Sequence, residues 1–372
     1  MAEFNEHDGR GGRERGRGGR DMRRPNRDEQ REERRREAAR HTGLMKAAFG
    51  RETDEAIENA RIYEEGEGRA LLWGAEAAAA ARVAKAAAEM AEADAEGAQA
   101  GNEEACEAAE IAEEAAEAAE EAADPDGAAG AAPTATETTV KVVTSFAPEA
   151  LYRDATGKTM IVDPGAFTRP GGAYEDGAFG PEQILCSESN LYPILVAHKR
   201  DFYDKNRDYR RGSLFTDRAL YVPEVLFSRG GDVRRADVLV IAEPIRAYAL
   251  ESHRSERECD KALADRIETI FRVAAANGAE TLIMGAFGCG RNGYPVEQVI
   301  ELIQNWIAEH PGAVPNVVFA VPRMHADAFR EAFGAPEPER PAPVVVAEDE
   351  GDREGDDEGW RNVELPEGIT LR

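Results

Sequence analysis

The second half of the chain alternates between short apolar runs and longer segments whose apolar residues recur every three or four positions. Short runs lie at Val140–Val143, Met160–Val162, Leu220–Val225, Ala236–Ala242, Thr281–Met284 and Asn316–Val321. Segments with helical spacing lie at Pro148–Ala155, Glu182–Arg200, Glu256–Ala276, Pro295–Glu309 and Met324–Phe333. Because a strand that alternates with helices pairs mostly in parallel, the pattern predicts a three-layer α/β/α fold with a mainly parallel or mixed central sheet.

The sequence on both sides of this region lacks the pattern. We expect residues 1–42 to be a disordered Arg/Gly-rich arm and residues 335–372 a disordered acidic tail, because glycine, proline and solvated charges leave little apolar area to bury. Residues 43–68 carry an approximate helical stripe and are predicted to form a helix that can pack on the domain. Residues 69–136 are mostly Ala and Glu, which is typical of an insert and linker. The folded domain is therefore predicted to span residues 137–334.

The formal net charge of −27 argues against nucleic-acid binding by the chain as a whole. The charge is uneven, because residues 1–40 are rich in arginine whereas residues 87–126 and 336–358 are acidic. Two interpretations of the arm stay open. One is a functional segment, either a weak RNA contact of the RGG type or a nuclear-import patch. The other is a solubilising tail whose acidic residues cancel part of its charge.

Several classes of protein are disfavoured by what the sequence does not contain. It has no run of about 18 apolar residues, so it offers no candidate for a membrane span. It has no apolar secretion signal, so we expect an intracellular protein, cytoplasmic or nuclear, and not a secreted one. No CxxC pair occurs among Cys106, Cys186, Cys259 and Cys289, and free thiols are expected. The histidines show no metal-ligand spacing, and we predict neither a metal nor another cofactor.

Two glycine-rich loops follow predicted strands. The first contains Arg169-Pro170-Gly171-Gly172-Ala173 after the strand at Met160–Val162, and the second runs from Gly285 to Gly290 after the strand at Thr281–Met284. Ligands of such sheets bind outside the carboxyl ends of the strands. Glycines let backbone N–H groups approach a diphosphate closely, and the helix that follows each loop favours negative charge at its N-terminus. The two loops together predict a ligand that carries a diphosphate.

The motifs in and around these loops resemble those of the microbial-type poly(ADP-ribose) glycohydrolases, a branch of the macro-domain superfamily. That family has three glycines followed, after a short spacer, by Gln-Glu-Glu. Here Gly171-Gly172-Ala173 is followed by seven residues and then by Pro181-Glu182-Gln183. The stretches at Leu185–Pro193, Ala219–Val225 and Gly285–Gly290 are also similar to the family, so the resemblance covers about residues 139–334.

The resemblance implies a site for ADP-ribose, either free or attached to a protein. Its ligand-binding residues would be Asp163, Gly171, Gly172, Ala173, Phe287, Gly288, Cys289, Gly290 and Tyr294. Asp163 stands where the bacterial-type family usually has Asn, and either side chain can bond a ribose hydroxyl. Cys186 and Cys289 are interpreted as small buried residues rather than nucleophiles.

The catalytic position differs from the family pattern. The second glutamate of Gln-Glu-Glu is the family's acid/base, and its position here is Gln183, while Glu182 keeps the first glutamate. A carboxamide cannot exchange a proton near neutral pH, and loss of general acid/base catalysis costs on the order of 10²–10⁴ in rate. The sequence therefore predicts recognition of ADP-ribose with weak or lost hydrolysis.

Two alternatives stay open at this point. One is an active glycohydrolase that uses a different carboxylate, for which Glu182, Glu175 and Asp176 are the candidates. The other is an RNA-associated adaptor that acts through the Arg/Gly arm.

Overall fold

The computed structural model describes residues 26–74, residue 77 and residues 137–334. All of them lie in one compact unit. The strands are β1 Arg61–Tyr63, β2 Thr139–Val143, β3 Thr159–Asp163, β4 Ala219–Arg229, β5 Asp232–Ile241, β6 Thr281–Met284 and β7 Asn316–Ala320. The α-helices are α1 Arg27–Ala48, α2 Gly50–Glu58, α3 Glu67–Ala70, α4 Ala147–Arg153, α5 Pro181–Ser187, α6 Leu191–Ala197, α7 Arg246–Glu251, α8 Glu256–Ala276, α9 Val296–Glu309 and α10 Arg323–Phe333.

The seven strands form one mixed sheet in the order β1-β4-β5-β3-β6-β7-β2. The strands β5, β3, β6, β7 and β2 are parallel to one another, whereas β4 is antiparallel to both β1 and β5. The predicted α/β/α architecture is confirmed. Sequence reasoning did not foresee the β4–β5 hairpin, whose strands are joined directly at Gly230-Gly231.

Helices cover both faces of the sheet. On β3, Met160 and Val162 belong to a core that includes side chains of α8, α9 and α10, whereas Ile161 between them belongs to a core with α2, α4, α5 and α6. This alternation follows from the two-residue period of a strand, and it explains why a central strand that is buried on both faces reads as a continuous apolar run. No helix of the described part has the length and apolar character needed to cross a bilayer.

Long helices agree closely with the sequence pattern. The bounds of α8 are those predicted, because Ser255 accepts a hydrogen bond from the Glu258 amide at the start and the left-handed Gly278 follows the C-cap Asn277 at the end. The predicted helix at residues 182–200 is instead divided into α5 and α6. Between them the Asn190 side chain accepts from the Leu226 amide and donates to Thr53 Oγ1, which draws the chain onto β4.

The N-terminal region differs from the prediction. Residues 27–42, expected to belong to a disordered arm, form most of α1, which packs on the first glycine-rich loop. Arg31 Nε donates to the Asp176 carbonyl and Arg34 Nε to the Gly177 carbonyl, each at 2.9 Å. Gly177 permits this approach, because a Cβ atom there would strike the Arg31 carbonyl. These tertiary contacts hold a helix that its charged, weakly amphipathic sequence does not signal.

Residues 43–68 are partly helical, as predicted, but they also contribute the edge strand β1. Two ion pairs, each with one buried partner, fix this segment next to β4: the buried Arg218 Nε lies 2.6 Å from Glu64 Oε2, and Arg69 Nε lies 2.6 Å from the buried Asp217 Oδ2. The predictions for residues 1–25, for nearly all of the Ala/Glu-rich insert and for the acidic tail lie outside the described residues.

Candidate active site

The first glycine-rich loop has an unusual backbone. Gly171, Gly172 and Ala173 follow one another in the left-handed region, with φ of 63°, 51° and 73°. An L-residue in this region is strained by roughly 1–2 kcal/mol, so Ala173 carries a cost that glycine would not. The loop keeps this shape because the side chains at the start of α5 hold it from beneath.

Glu182 and Gln183, adjacent in the first turn of α5, bind different parts of the loop. Glu182 Oε2 accepts from the Ala166 amide at 3.0 Å. Gln183 Nε2 donates to the carbonyls of Gly171 and Gly172 at 3.0 and 3.2 Å. Because Gln183 uses both amide hydrogens in these bonds, it acts here as a clamp on the loop.

Asp163 and Glu182 form a buried pair of carboxyl groups. Asp163 is 0% exposed and Glu182 4% exposed. Both oxygens of Asp163, and Oε1 of Glu182, have no hydrogen-bond partner among the described residues. Burial and their mutual repulsion raise the pKa of Glu182, and burial together with the charge of Glu243 raises the pKa of Asp163. The pair therefore favours holding a proton, and three of its four oxygens have no hydrogen-bond partner among the described residues.

Glu243 is a site residue that sequence reasoning missed. It lies two residues after the end of β5, next to β3 in the sheet, so it stands at the same carboxyl edge as Asp163. Glu243 Oε1 accepts from the Gly288 amide at 2.8 Å, and Oε2 accepts from Asn292 Nδ2. Burial raises the pKa of Glu243 to about 7. Its position directly after the apolar run at residues 236–242 was the signal that could have found it.

The second glycine-rich loop is only partly open to a ligand. Gly288 and Gly290 adopt left-handed conformations with φ of 77° and 70°. Phe287 and Tyr294 are 2% and 3% exposed, and both belong to the core on the α8 side. The Tyr294 hydroxyl donates to the Cys259 carbonyl at 2.8 Å. The described contacts thus give Phe287 and Tyr294, both predicted as ligand contacts, a packing role.

The cysteines near the loops are poor nucleophiles in this arrangement. Burial raises the pKa of the Cys289 thiol to about 12, and burial also raises the pKa of Cys186. Both thiols therefore stay protonated at neutral pH, and they are poor nucleophiles because the thiolate is the nucleophilic form. The described cysteines, Cys186, Cys259 and Cys289, are free, and Cys106 lies outside the described residues.

Two other carboxylates of the first loop are already engaged. Arg169 Nη2 lies 2.8 Å from Glu175 Oε1 and 2.6 Å from Asp176 Oδ2. Burial opposes ionisation of Glu175, but hydrogen bonds from Arg169 and Tyr192 lower its pKa overall, and Arg169 lowers the pKa of Asp176. Both groups are therefore ionised near neutral pH and are unsuited to donate a proton.

Gln183 also faces a cavity of about 380 Å³ between α1 and α5. Its walls include Arg34, Glu37, His41, Tyr174 and Phe179. A larger cavity of about 500 Å³ lies at the opposite edge of the sheet, near Lys158 and Asp237. Asp237 accepts there from the Tyr221 hydroxyl and the Glu224 amide, so this carboxylate is satisfied within the fold.

Within the described residues, no cluster of acidic, histidine and cysteine side chains has the arrangement of a metal site.

Residues 44–230, half of the chain, match the family model described as the catalytic domain of microbial-type poly(ADP-ribose) glycohydrolases. The chain belongs to this glycohydrolase family. The matched region includes β1, the first glycine-rich loop and α5 of this glycohydrolase-family chain, and it ends before the second loop. The family assignment made from the motifs is therefore confirmed, although the match by itself does not assign roles to single residues.

Solved structures of bacterial members share the fold. The poly(ADP-ribose) glycohydrolase of Thermomonospora curvata is similar with a TM-score of 0.54 and 21% identity, covering 82% of this chain and 98% of that one. The enzyme of Deinococcus radiodurans, in complex with ADP-ribose, is similar with a TM-score of 0.52 and 18% identity, covering 76% and 97%. The curated proteins contain no match. At such low identity the structural similarity shows the fold alone, and the chemistry has to be argued from the residues of this chain.

Proposed function

We propose that this glycohydrolase-family protein recognises ADP-ribose, free or attached to a protein, and hydrolyses poly(ADP-ribose) weakly or not at all. The observation that carries the proposal is the state of Gln183. Its amide replaces the family's catalytic carboxyl group and donates both hydrogens to the loop carbonyls of Gly171 and Gly172. A group so placed can shape the binding loop, but it cannot supply or accept a proton.

Recognition of ADP-ribose is supported by the two loops and by the relatives. The loops lie at the ends of β3 and β6, which are direct neighbours in the sheet. Glu243 links them, since it binds the Gly288 amide and its charge acts on Asp163. The Deinococcus radiodurans relative is described in complex with ADP-ribose and the Thermomonospora curvata relative with the inhibitor ADP-HPD. We infer that Asp163 and Glu182 bond ribose hydroxyls through their free oxygens.

A second candidate function, slow hydrolysis through Glu182, is favoured by one observation. Glu182 is a buried carboxyl group with a raised pKa and a free oxygen, as expected for a general acid. Glu175 and Asp176 are weaker candidates because Arg169 keeps both ionised. Against Glu182 stands its bond to the Ala166 amide, which fixes its other oxygen in the loop.

The RNA-associated adaptor is the less supported alternative. Arg31 and Arg34 of the arm donate to carbonyl groups of the first loop, which ties this part of the arm to the domain. Residues 1–25, which carry the Arg/Gly repeats, lie outside the described residues, and the RNA contact stays a prediction for them.

The test combines calorimetry with ADP-ribose and a hydrolysis assay on poly(ADP-ribose). We expect the wild type to bind ADP-ribose and to hydrolyse the polymer very slowly, and Gln183→Glu to raise the rate by roughly 10-fold or more. The new carboxyl group would face the carbonyls of Gly171 and Gly172, which favours its protonated form. The gain should therefore be larger at pH 6 than at pH 8.

The matched control is Glu188→Gln at the other end of α5, where Glu188 pairs with Arg229. It should change neither binding nor rate by more than about twofold. Rapid turnover by the wild type that is abolished in Glu182→Gln would replace the proposal with the second candidate. Absence of ADP-ribose binding by the folded wild type would remove both.

A further inference from the structure

We propose that Glu243 occupies, at the second glycine-rich loop, the position of one phosphate of ADP-ribose, so that ligand binding requires this carboxylate to be neutralised or displaced. The inference rests on the proposed function and specifies which residue limits the affinity of the protein for ADP-ribose. It concerns a residue that neither the family motifs nor the loop sequences indicated.

The geometry is that of an internal anion bound by a loop. Gly288 lies in the left-handed region within the sequence Gly285–Gly290, which was expected to offer backbone amides to a diphosphate. Its amide instead donates to Glu243 Oε1 at 2.8 Å, and Asn292 Nδ2 donates to Glu243 Oε2. A carboxylate that accepts two such bonds uses the same donors and the same charge preference that a phosphate oxygen would.

Gly288 lies close to side chains of the core. A Cβ atom at Gly288 would lie 3.2 Å from Leu263 Cδ1 and 3.2 Å from Tyr294 Cδ2, so the backbone is packed against the core on one side. The Glu243 carboxylate, at the end of a side chain, is the part that can move or take up a proton.

The surrounding charges make an additional anion costly. Asp163 at the end of β3 faces Glu243, with Glu182 beyond it, and the Cys289 thiol of the loop is also close enough to feel its charge. Arg291 is the cation that lowers the pKa of Glu243, against the larger effect of burial. Two phosphate charges that enter beside an ionised Glu243 would be repelled in a partly desolvated site.

Protonation of Glu243 removes this repulsion. With a pKa of about 7, the group changes from mostly ionised at pH 8 to mostly neutral at pH 6. We therefore expect the affinity for ADP-ribose to rise as the pH falls through neutrality. Asp163 and Glu182 titrate in the wild type and in the variants alike, and because the charge of Glu243 also raises the pKa of Asp163, the ratio of affinities reports Glu243 together with its effect on this neighbour.

The experiment measures ADP-ribose binding by calorimetry at pH 6 and pH 8 for the full-length wild type, Glu243→Gln and Glu243→Ala. Glutamine keeps an oxygen for the Gly288 amide and removes the charge, and alanine removes the occupant altogether. At pH 8 both variants should bind about tenfold more tightly than the wild type. At pH 6 the advantage of Glu243→Gln should shrink to about twofold, because Glu243 is then largely neutral.

A matched control is Glu297→Gln. Glu297 is an exposed carboxylate in the first turn of α9, and its charge also reaches Cys289. Within the described residues it does not bond Gly288, whose amide donates to Glu243. Its affinity should stay within about twofold of the wild type at both pH values. Equal or weaker binding by folded Glu243→Gln and Glu243→Ala at pH 8 would overturn the inference alone. No binding by any of the proteins at either pH would overturn the proposed function with it.

Discussion

At the residue scale, the site is governed by side chains whose neighbours prevent them from behaving as they would in water. Asp163 ends β3 with a fully buried carboxyl group whose two oxygens have no partner among the described residues. A lone buried carboxylate is costly, so the group favours its protonated form. The same chemistry that suits it to bond a hydroxyl makes it a weak point of the fold.

This predicts the effect of Asp163→Asn. Because the pKa of Asp163 is raised above its ordinary value of 3.8, its contribution to stability is complete below about pH 4 and is lost as the pH rises through the folded-state pKa. Asparagine does not ionise, and its amide can donate to the free Glu182 Oε1. The variant should be more stable than the wild type at pH 8 by at least about 1 kcal/mol and should gain less at pH 5.

Urea denaturation at the two pH values measures this difference. Asp327→Asn is the control, since the Asp327 side chain is 96% exposed and the change should leave the pH dependence as it is. A gain for Asp163→Asn that is the same at pH 5 and pH 8 would contradict the prediction.

Ala173 gives a second prediction at this scale. Ala173 has a φ of 73°, and the substitution Ala173→Gly should relieve the backbone strain at this position. The strain of roughly 1–2 kcal/mol exceeds the entropy that glycine adds to the unfolded chain, so the variant should be more stable by about 0.5–1 kcal/mol. Ala178→Gly, in the same loop but without positive φ, should be less stable by a similar amount. A shift of the thermal midpoint downward in both variants would show that the methyl group of Ala173 contributes packing that outweighs its strain.

At the element scale, α1 is part of the candidate active site although its sequence resembles a solvated arm. It buries Ala38 and Met45, and its arginines bond the carbonyls of Asp176 and Gly177. Asp176 ends the segment Pro170–Asp176, which contains the three left-handed residues, and Gly177 directly follows it. We infer that α1 keeps the loop closed on α5, in the same way that Gln183 holds it from the other side.

Deletion of residues 1–42 tests this role. The truncated chain loses both arginine bonds and the burial of Ala38, and we expect the free energy of unfolding to fall by at least about 2 kcal/mol. Affinity for ADP-ribose should fall as well, because the loop is no longer supported. Deletion of residues 1–25 is the control that separates α1 from the sequence before it. If the two deletions gave the same stability and affinity, α1 would have no part in supporting the loop.

At the scale of the whole molecule, the family domain is assembled from two stretches of sequence. β1 lies at one edge of the sheet and β2 at the other. The chain after β1 runs along the helices of one face, since Gly68 packs on Thr269 of α8 and the ring of Trp73 lies 5.8 Å from that of Trp306 in α9. A domain that began at residue 137, as predicted, would lack β1 and expose the edge of β4.

We therefore expect residues 137–334 alone to aggregate or stay unfolded. A chain in which residues 78–136 are replaced by a Gly/Ser linker of about 20 residues should fold, because the excised sequence has few large apolar side chains and such a linker spans roughly 25 Å. Its thermal midpoint should lie close to that of the full chain. Loss of folding in the linker variant, with the full chain intact, would show that the Ala/Glu-rich segment contributes to the core.

Much of the fold followed from the sequence because its signals are local. The bounds of α8 were predicted from its apolar period and its caps, and the strand predicted at Thr281–Met284 has the same bounds as β6. Short elements that depend on distant partners were not foreseen. β1 has three residues and forms only because β4 pairs with it, and α1 is held by carbonyl groups more than a hundred residues away.

For the site, the sequence by itself determined the family and the two glycine-rich loops, and it predicts that Gln183 takes the place of the family's catalytic carboxyl group, because these are properties of residue order. Only the tertiary structure decided the environment of each group. It buried Asp163 beside Glu182, bound Gln183 to the loop and aimed Glu243 at the Gly288 amide. Burial and proximity set the charge of a carboxyl group, and both arise from contacts between segments that are far apart in the chain.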